Sequence, residues 1–206
     1  MSHPLLPRLV EARVVPVVRT RTLDAARTSV TWLREAGFRT FEITLTVPNA
    51  TALIAELAAD PALLVGAGTV RTAAEAYACG EAGARFIVCP WNEPEIVPAG
   101  RRFGALVMLG ALTPDEVVEA LEGFADVVKI FPAASMGGPA QIRALRSVFP
   151  EVPFCPTGGV DPSNLRAYLD AGASFVGIGG KLVDDRLIAA GDKSAVQEAA
   201  RAALAA

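Results

Sequence analysis

The chain has 206 residues, 52% of them hydrophobic, enough to fill one sizeable core, so we read residues 1–206 as a single domain. Nineteen basic against twenty-two acidic residues give a net charge of −3. With no block of like charge, neither nucleic acid nor an anionic membrane is an evident partner, and a small-molecule ligand is expected. The single histidine, His3, lies near the N-terminus, which argues against histidine triads and histidine-based metal clusters. No tight Asp/Glu cluster appears either, so no metal or cofactor is expected and the chemistry falls to lysine, carboxylate and backbone groups.

The N-terminus lacks the basic start, apolar stretch and cleavage site of a secretion signal, and no apolar run approaches the roughly 20 residues that cross a bilayer. A cytoplasmic protein is expected. Cys79, Cys89 and Cys155 are odd in number, widely spaced and set among apolar residues, which suits reduced core thiols.

In chain order, a short helix near Leu5–Ala12 precedes a first strand, Val14–Val18, which ends at Arg19. The second strand, Thr40–Thr46, alternates, placing Glu42, Thr44 and Thr46 on one face and Phe41, Ile43 and Leu45 on the other. The third, Leu63–Ala67, runs into Gly66-Ala67-Gly68-Thr69-Val70, whose glycines would let backbone approach a ligand and whose Thr69 offers a hydroxyl. Arg85–Cys89 and Ala105–Leu109 follow as the fourth and fifth strands, with Pro90 and Trp91 just beyond the fourth. Asp126–Phe131 is the sixth and carries Lys129, and Val152–Cys155 is the seventh, leading into Thr157-Gly158-Gly159. Ser174–Ile178 is the eighth, leading into Gly179-Gly180-Lys181, and an alanine-rich helix from Ala195 to Ala206 ends the chain.

Between the strands, helix starts are marked by Thr72…Glu75 and Thr113…Glu116 as capping boxes and by Asp161-Pro162. Helix ends are marked by Gly37, Gly83 and Gly172. Eight strand–helix units at roughly 23-residue spacing give a parallel α/β fold. An open doubly wound sheet shares this rhythm, but eight repeats and no Gly-x-Gly-x-x-Gly after the first strand favour a closed (β/α)8 TIM barrel with a short N-terminal helix.

In such a barrel the functional groups stand at the C-terminal ends of the strands. Lys129, one of only three lysines, lies there among Val127, Val128, Ile130 and Phe131. An ammonium drawn out of water loses hydration, which favours the neutral amine that attacks carbonyls. The competing reading is a lysine that extends its head into solvent. Glu42 points into the interior, where an unpaired charge is costly. It is a proton carrier, one half of a structural pair with Arg19 or Lys129, or both. The two Gly-Gly loops after strands seven and eight are placed to gather N–H groups around an anion, or are simply tight turns.

Together these motifs resemble the family of 2-keto-3-deoxy-6-phosphogluconate (KDPG) aldolases, with the 4-hydroxy-2-oxoglutarate (KHG) and phosphogalactonate aldolases. The resemblance runs through Val15-Pro-Val-Val-Arg19, Phe41-Glu-Ile-Thr-Leu45, Val65-Gly-Ala-Gly-Thr-Val70, Val128-Lys-Ile-Phe-Pro-Ala133, Cys155-Pro-Thr-Gly-Gly-Val160 and Gly177-Ile-Gly-Gly180, in the family's order. It implies a class I mechanism in which Lys129 forms an iminium with the keto carbon and Glu42 moves protons, yielding pyruvate and glyceraldehyde 3-phosphate. It also implies that Thr69 and Pro90 line a pyruvate pocket, that Phe131 packs beside the lysine to bind substrate, that Thr157, Gly158, Gly159, Gly179, Gly180 and Lys181 hold a phosphate, and that the protein is a homotrimer.

Two positions depart from the family pattern. Thr46 stands where well-known members carry an arginine that holds the substrate carboxylate, leaving Arg19 to take that role. Lys181 stands where a small residue is usual, and it suits either a phosphate or a second carboxylate. The remaining alternatives are a phosphate-binding isomerase or epimerase barrel, whose histidine or paired aspartates are missing here, and a non-catalytic anion-binding barrel.

Overall fold

The computed structural model describes residues 2–206. Eight parallel strands alternate with helices in the order α1 (Leu6–Ala12), β1 (Val14–Val18), α2 (Leu23–Ala36), β2 (Thr40–Thr44), α3 (Ala50–Ala58), β3 (Leu64–Gly68), α4 (Ala73–Glu81), β4 (Phe86–Val88), α5 (Ile96–Arg101) and β5 (Leu106–Ala111). There follow α6 (Pro114–Glu122), β6 (Val127–Ile130), α7 (Gly138–Val148), β7 (Phe154–Pro156), α8 (Leu165–Asp170), β8 (Val176–Ile178), α9 (Asp185–Ala189) and α10 (Lys193–Ala205).

The sheet runs β7-β6-β5-β4-β3-β2-β1-β8, so β1 pairs with both β2 and β8 and the sheet curls into a barrel. Among the described residues its last seam, between β7 and β8, holds only an isolated Thr157–Gly177 bridge and a bond from Ser174 N to Phe154 O. The fold is the (β/α)8 barrel, and the doubly wound alternative is excluded.

Period-two alternation divides the apolar residues into two cores. Val14, Val18, Phe41, Ile43, Val65, Ile87, Val107, Val128, Phe154 and Val176 point outward and pack beneath the helices. Val15, Leu64, Phe86, Val88, Leu106, Met108, Val127, Cys155 and Phe175 fill the interior, joined from below by Leu5 and Leu9. The expected N-terminal helix is present and plugs the barrel floor.

Gly37, Gly83 and Gly172 end their helices with φ of 121°, 93° and 102°, the region glycine tolerates without strain. Thr113 and Glu116 form a full capping box. Several element ends differ from expectation by a residue or two, and four local differences have a visible cause. Thr72 accepts from Glu75 N, but the Glu75 carboxylate reaches Arg71 N instead of closing the box. Asp161 accepts from Ser163 N and Asn164 N in a turn, and the helix begins only at Leu165. β2 stops at Thr44, because Val47 N turns back to Thr44 O ahead of Pro48. β7 lies further along the chain than the sequence suggests and includes Pro156, tolerated because that strand borders the sparsely bonded seam.

Candidate active site

Register places the reactive groups. In β6, Val128 and Ile130 turn toward the helices, so Lys129 turns into the barrel, opposite Gly110 and Cys155. Gly110 can have no side chain, since the Pro90 carbonyl fills the space. The Lys129 side chain is 5% exposed, which excludes a solvent-seeking role. Glu42 enters from β2, opposite Val17 and Gly66, and is equally buried. Its Oε1 lies 3.5 Å from Lys129 Nζ, so its partner is Lys129 rather than Arg19.

The glycines of β3 serve a purpose other than ligand approach. A Cβ at Gly66 would overlap the Phe86 ring, and one at Gly68 would overlap the Glu42 carboxylate. They make room for side chains from neighbouring strands, and the space at Gly68 is the slot that holds Glu42.

Above Lys129 opens a cavity of about 570 Å³. It brings together Arg19, Thr69, Pro90, Lys129, Phe131, Thr157, Gly158, Gly159, Gly179, Gly180 and Lys181, every expected site residue except Glu42, which reaches the site through its contact with Lys129. Phe131 sets its ring 5.8 Å from Lys129 Nζ, a favourable distance for a cation over an aromatic face.

At one end, Arg19 donates to Thr46 Oγ1 at 3.3 Å and to Thr69 Oγ1 at 2.9 Å. It makes no ion pair with any carboxylate among the described residues. Thr69 is held at φ 55°, a costly conformation for a β-branched residue and one that turns its hydroxyl into the cavity wall.

At the other end, Gly158 and Gly159 have φ of 90° and 76°, and a side chain on Gly159 would collide with Ala134. Their loop is fixed through its carbonyls, which accept from Ala133 N, Ala134 N and Asn164 Nδ2. Gly179 O likewise accepts from Leu182 N and Val183 N. Among the described residues the N–H groups of Gly159, Gly180 and Lys181 donate to no protein acceptor. Free N–H groups beside a lysine are what an anion requires. A Cβ at Gly180 would meet nothing, so packing does not explain that glycine.

The sequence reading missed four lining residues: Val17, Val160, Asp184 and Arg186. Asp184 caps α9 by accepting from Arg186 N and pairs with the Arg186 side chain at 3.2 Å, which lowers its carboxyl below the usual range. The Ser163 hydroxyl, more than the Lys181 charge, does the same for Asp161. An Asp ahead of a short helix was the available signal for Asp184. Trp91, for which the sequence suggested no role, lies outside this cavity on a smaller one of about 250 Å³ that also touches Pro90 and Phe131.

All three cysteines are free and buried. Burial pushes the Cys79 and Cys155 thiols up to about 12 and Cys89 to about 11. No group of three or more His, Cys, Asp or Glu among the described residues is placed to hold a metal ion. No helix among them is long and apolar enough to cross a membrane.

Comparison with known proteins agrees with this geometry. The family model for KDPG and KHG aldolase matches residues 6–199. A 2-dehydro-3-deoxy-phosphogluconate aldolase of Treponema pallidum is 37% identical over 192 residues, covering 91% of this chain and 90% of the relative. The 2-dehydro-3-deoxy-6-phosphogalactonate aldolase of Escherichia coli K12 is 34% identical over 173 residues, covering 82% and 83%. Among solved structures, the KDPG aldolase of Legionella pneumophila, with pyruvate captured as a covalent carbinolamine, superposes with a TM-score of 0.87 at 32% identity, covering 96% of this chain and 97% of that one. With the barrel, the buried lysine and a family match spanning nearly all of its length, the chain belongs to the KDPG and KHG aldolase family.

Proposed function

We propose that the protein is a class I aldolase that cleaves a phosphorylated 2-keto-3-deoxy sugar acid, KDPG or its galactonate epimer, to pyruvate and glyceraldehyde 3-phosphate. 4-Hydroxy-2-oxoglutarate is the related unphosphorylated substrate. The observation that carries this reading is the Lys129–Glu42 pair, buried together beneath a cavity with anion-binding groups at both ends.

In this mechanism a proton passes from Lys129 to Glu42, and the freed lone pair attacks the keto carbon to give a carbinolamine. Glu42 returns a proton as water leaves, forming the iminium. Glu42 then takes the proton of the C4 hydroxyl, the C3–C4 bond breaks, and its electrons pass into the iminium to leave an enamine and the aldehyde. Protonation at C3 and hydrolysis release pyruvate and the free amine. The 3.5 Å separation is long for a hydrogen bond, as is common before substrate draws catalytic groups together.

Arg19 and Thr69 would hold the keto-acid carboxylate, with Pro90 and Phe131 walling the pyruvate methylene. The loops at Thr157–Gly159 and Gly179–Lys181 would hold the phosphate. Residues 1–206 act in this proposal as one domain, and the family resemblance supports a homotrimer working in the cytoplasm. Incubation with pyruvate and borohydride tests the reading: a reduced adduct on Lys129, absent from Lys129→Ala, is the expected result, and no adduct would overturn it.

A further inference from the structure

The guanidinium of Arg19 does not stand alone at the cavity mouth. Thr46 Oγ1 accepts from Arg19 at 3.3 Å and lies 2.7 Å from Thr44 Oγ1, and Thr44 Oγ1 donates to Val18 O at 3.0 Å. A hydroxyl has one proton to give. Because Thr44 gives its proton to the Val18 carbonyl, the proton between the two threonines must come from Thr46. Thr46 is then left with only lone pairs toward Arg19, a group that only donates. The chain therefore has a single direction, Arg19 to Thr46 to Thr44 to Val18 O, and it ends on the residue immediately before Arg19. Thr44 is fully buried, which anchors the chain inside the barrel while Thr46 and Arg19 stand exposed above it.

The second branch has a complementary effect. Thr69 Oγ1 accepts from Arg19 at 2.9 Å, which leaves the Thr69 proton available to a ligand anion. Arg19 commits two of its five N–H donors to threonines, and the others have no acceptor among the described side-chain bonds.

Resting on the aldolase reading, we infer that Thr46, backed by Thr44, is a positioning residue that aims Arg19 at the substrate carboxylate. Thr46 brings no charge of its own to that carboxylate. It supplies the acceptor that converts a flexible arginine from β1 into a fixed anion clamp.

The test is borohydride trapping across a range of pyruvate concentrations, with methyl pyruvate as a probe that keeps the ketone and lacks the charge. Thr46→Val should raise the half-saturating pyruvate concentration about tenfold, the scale of a lost hydrogen bond to a charged group, and leave methyl pyruvate within about twofold. Thr46→Ser, which keeps the hydroxyl, should restore pyruvate capture. In an Arg19→Met background, Thr46→Val should add nothing further. Equal weakening of acid and ester, or an undiminished effect without Arg19, would overturn the inference while the aldolase reading stands. No adduct in the unmodified protein would overturn both.

Discussion

Lys129 Nζ and Glu42 Oε1 lie 3.5 Å apart, 87 residues apart in sequence, with each side chain 5% exposed. Replacing Glu42 by Gln keeps the volume and removes the carboxylate proposed to carry protons. We expect kcat to fall by about 10²- to 10⁴-fold while borohydride still traps pyruvate on Lys129, more slowly. Steady-state kinetics beside mass spectrometry of the adduct check this. Loss of pyruvate binding with chemistry intact would contradict it.

The same pair sets a stability prediction. Lys129→Met leaves the Glu42 carboxylate buried without a partner, and breaking a pair of this kind costs about 3–5 kcal/mol. Adding Glu42→Gln removes the stranded charge, so the double variant should be clearly more stable than Lys129→Met alone. Urea unfolding of the three proteins decides it.

Gly68→Ala would place a methyl group where the Glu42 carboxylate now sits. The expected outcome is a fall in kcat of at least about tenfold, with a smaller effect at Gly104, where a side chain would meet nothing but φ is 66°. Comparing kcat and unfolding midpoint for the two variants separates displacement of the carboxylate from general backbone strain.

At the far end of the cavity, Lys181→Ala should raise KM for a phosphorylated substrate about tenfold and leave an unphosphorylated keto acid nearly unaffected. The opposite pattern, with 4-hydroxy-2-oxoglutarate losing more, would assign Lys181 to a second carboxylate.

The thiols give a pH dependence. Cys79, Cys89 and Cys155 are pushed up by burial from an ordinary 9.0 to about 12, 11 and 12, so the folded protein keeps protons that the unfolded chain releases. Their contribution is intact below about pH 9 and is lost as pH rises toward 11–12. Stability should decline across that window, and a thiol reagent at about pH 8, below the thiols' ordinary range, should count no reactive cysteine before unfolding and three after.

The barrel and the inward placement of Lys129 and Glu42 were legible because alternation fixes which side chain faces inward, and because a lysine turned into an apolar interior calls for a buried partner. The glycines of β3 misled, since sequence shows an absent side chain but not which neighbour needs the space. At Gly66 and Gly68 the neighbours are Phe86 and Glu42, from strands on either side. Asp184 and Arg186 stayed hidden because a polar pair before a short helix looks the same whether it faces solvent or a cavity. The link from Arg19 to Thr46 and Thr69 joins the ends of three strands, and no local pattern announces a contact spanning 27 and 50 residues.

The seam between β7 and β8 is the thinnest part of the barrel wall, and the two glycine loops rise from its two sides. A phosphate gripped by both loops would act as a rung across that gap, fastening strands that the backbone alone joins sparingly. Occupancy and closure would then reinforce each other: the substrate would complete the container in which it reacts, and departure of the phosphorylated product would loosen the wall beside its own exit.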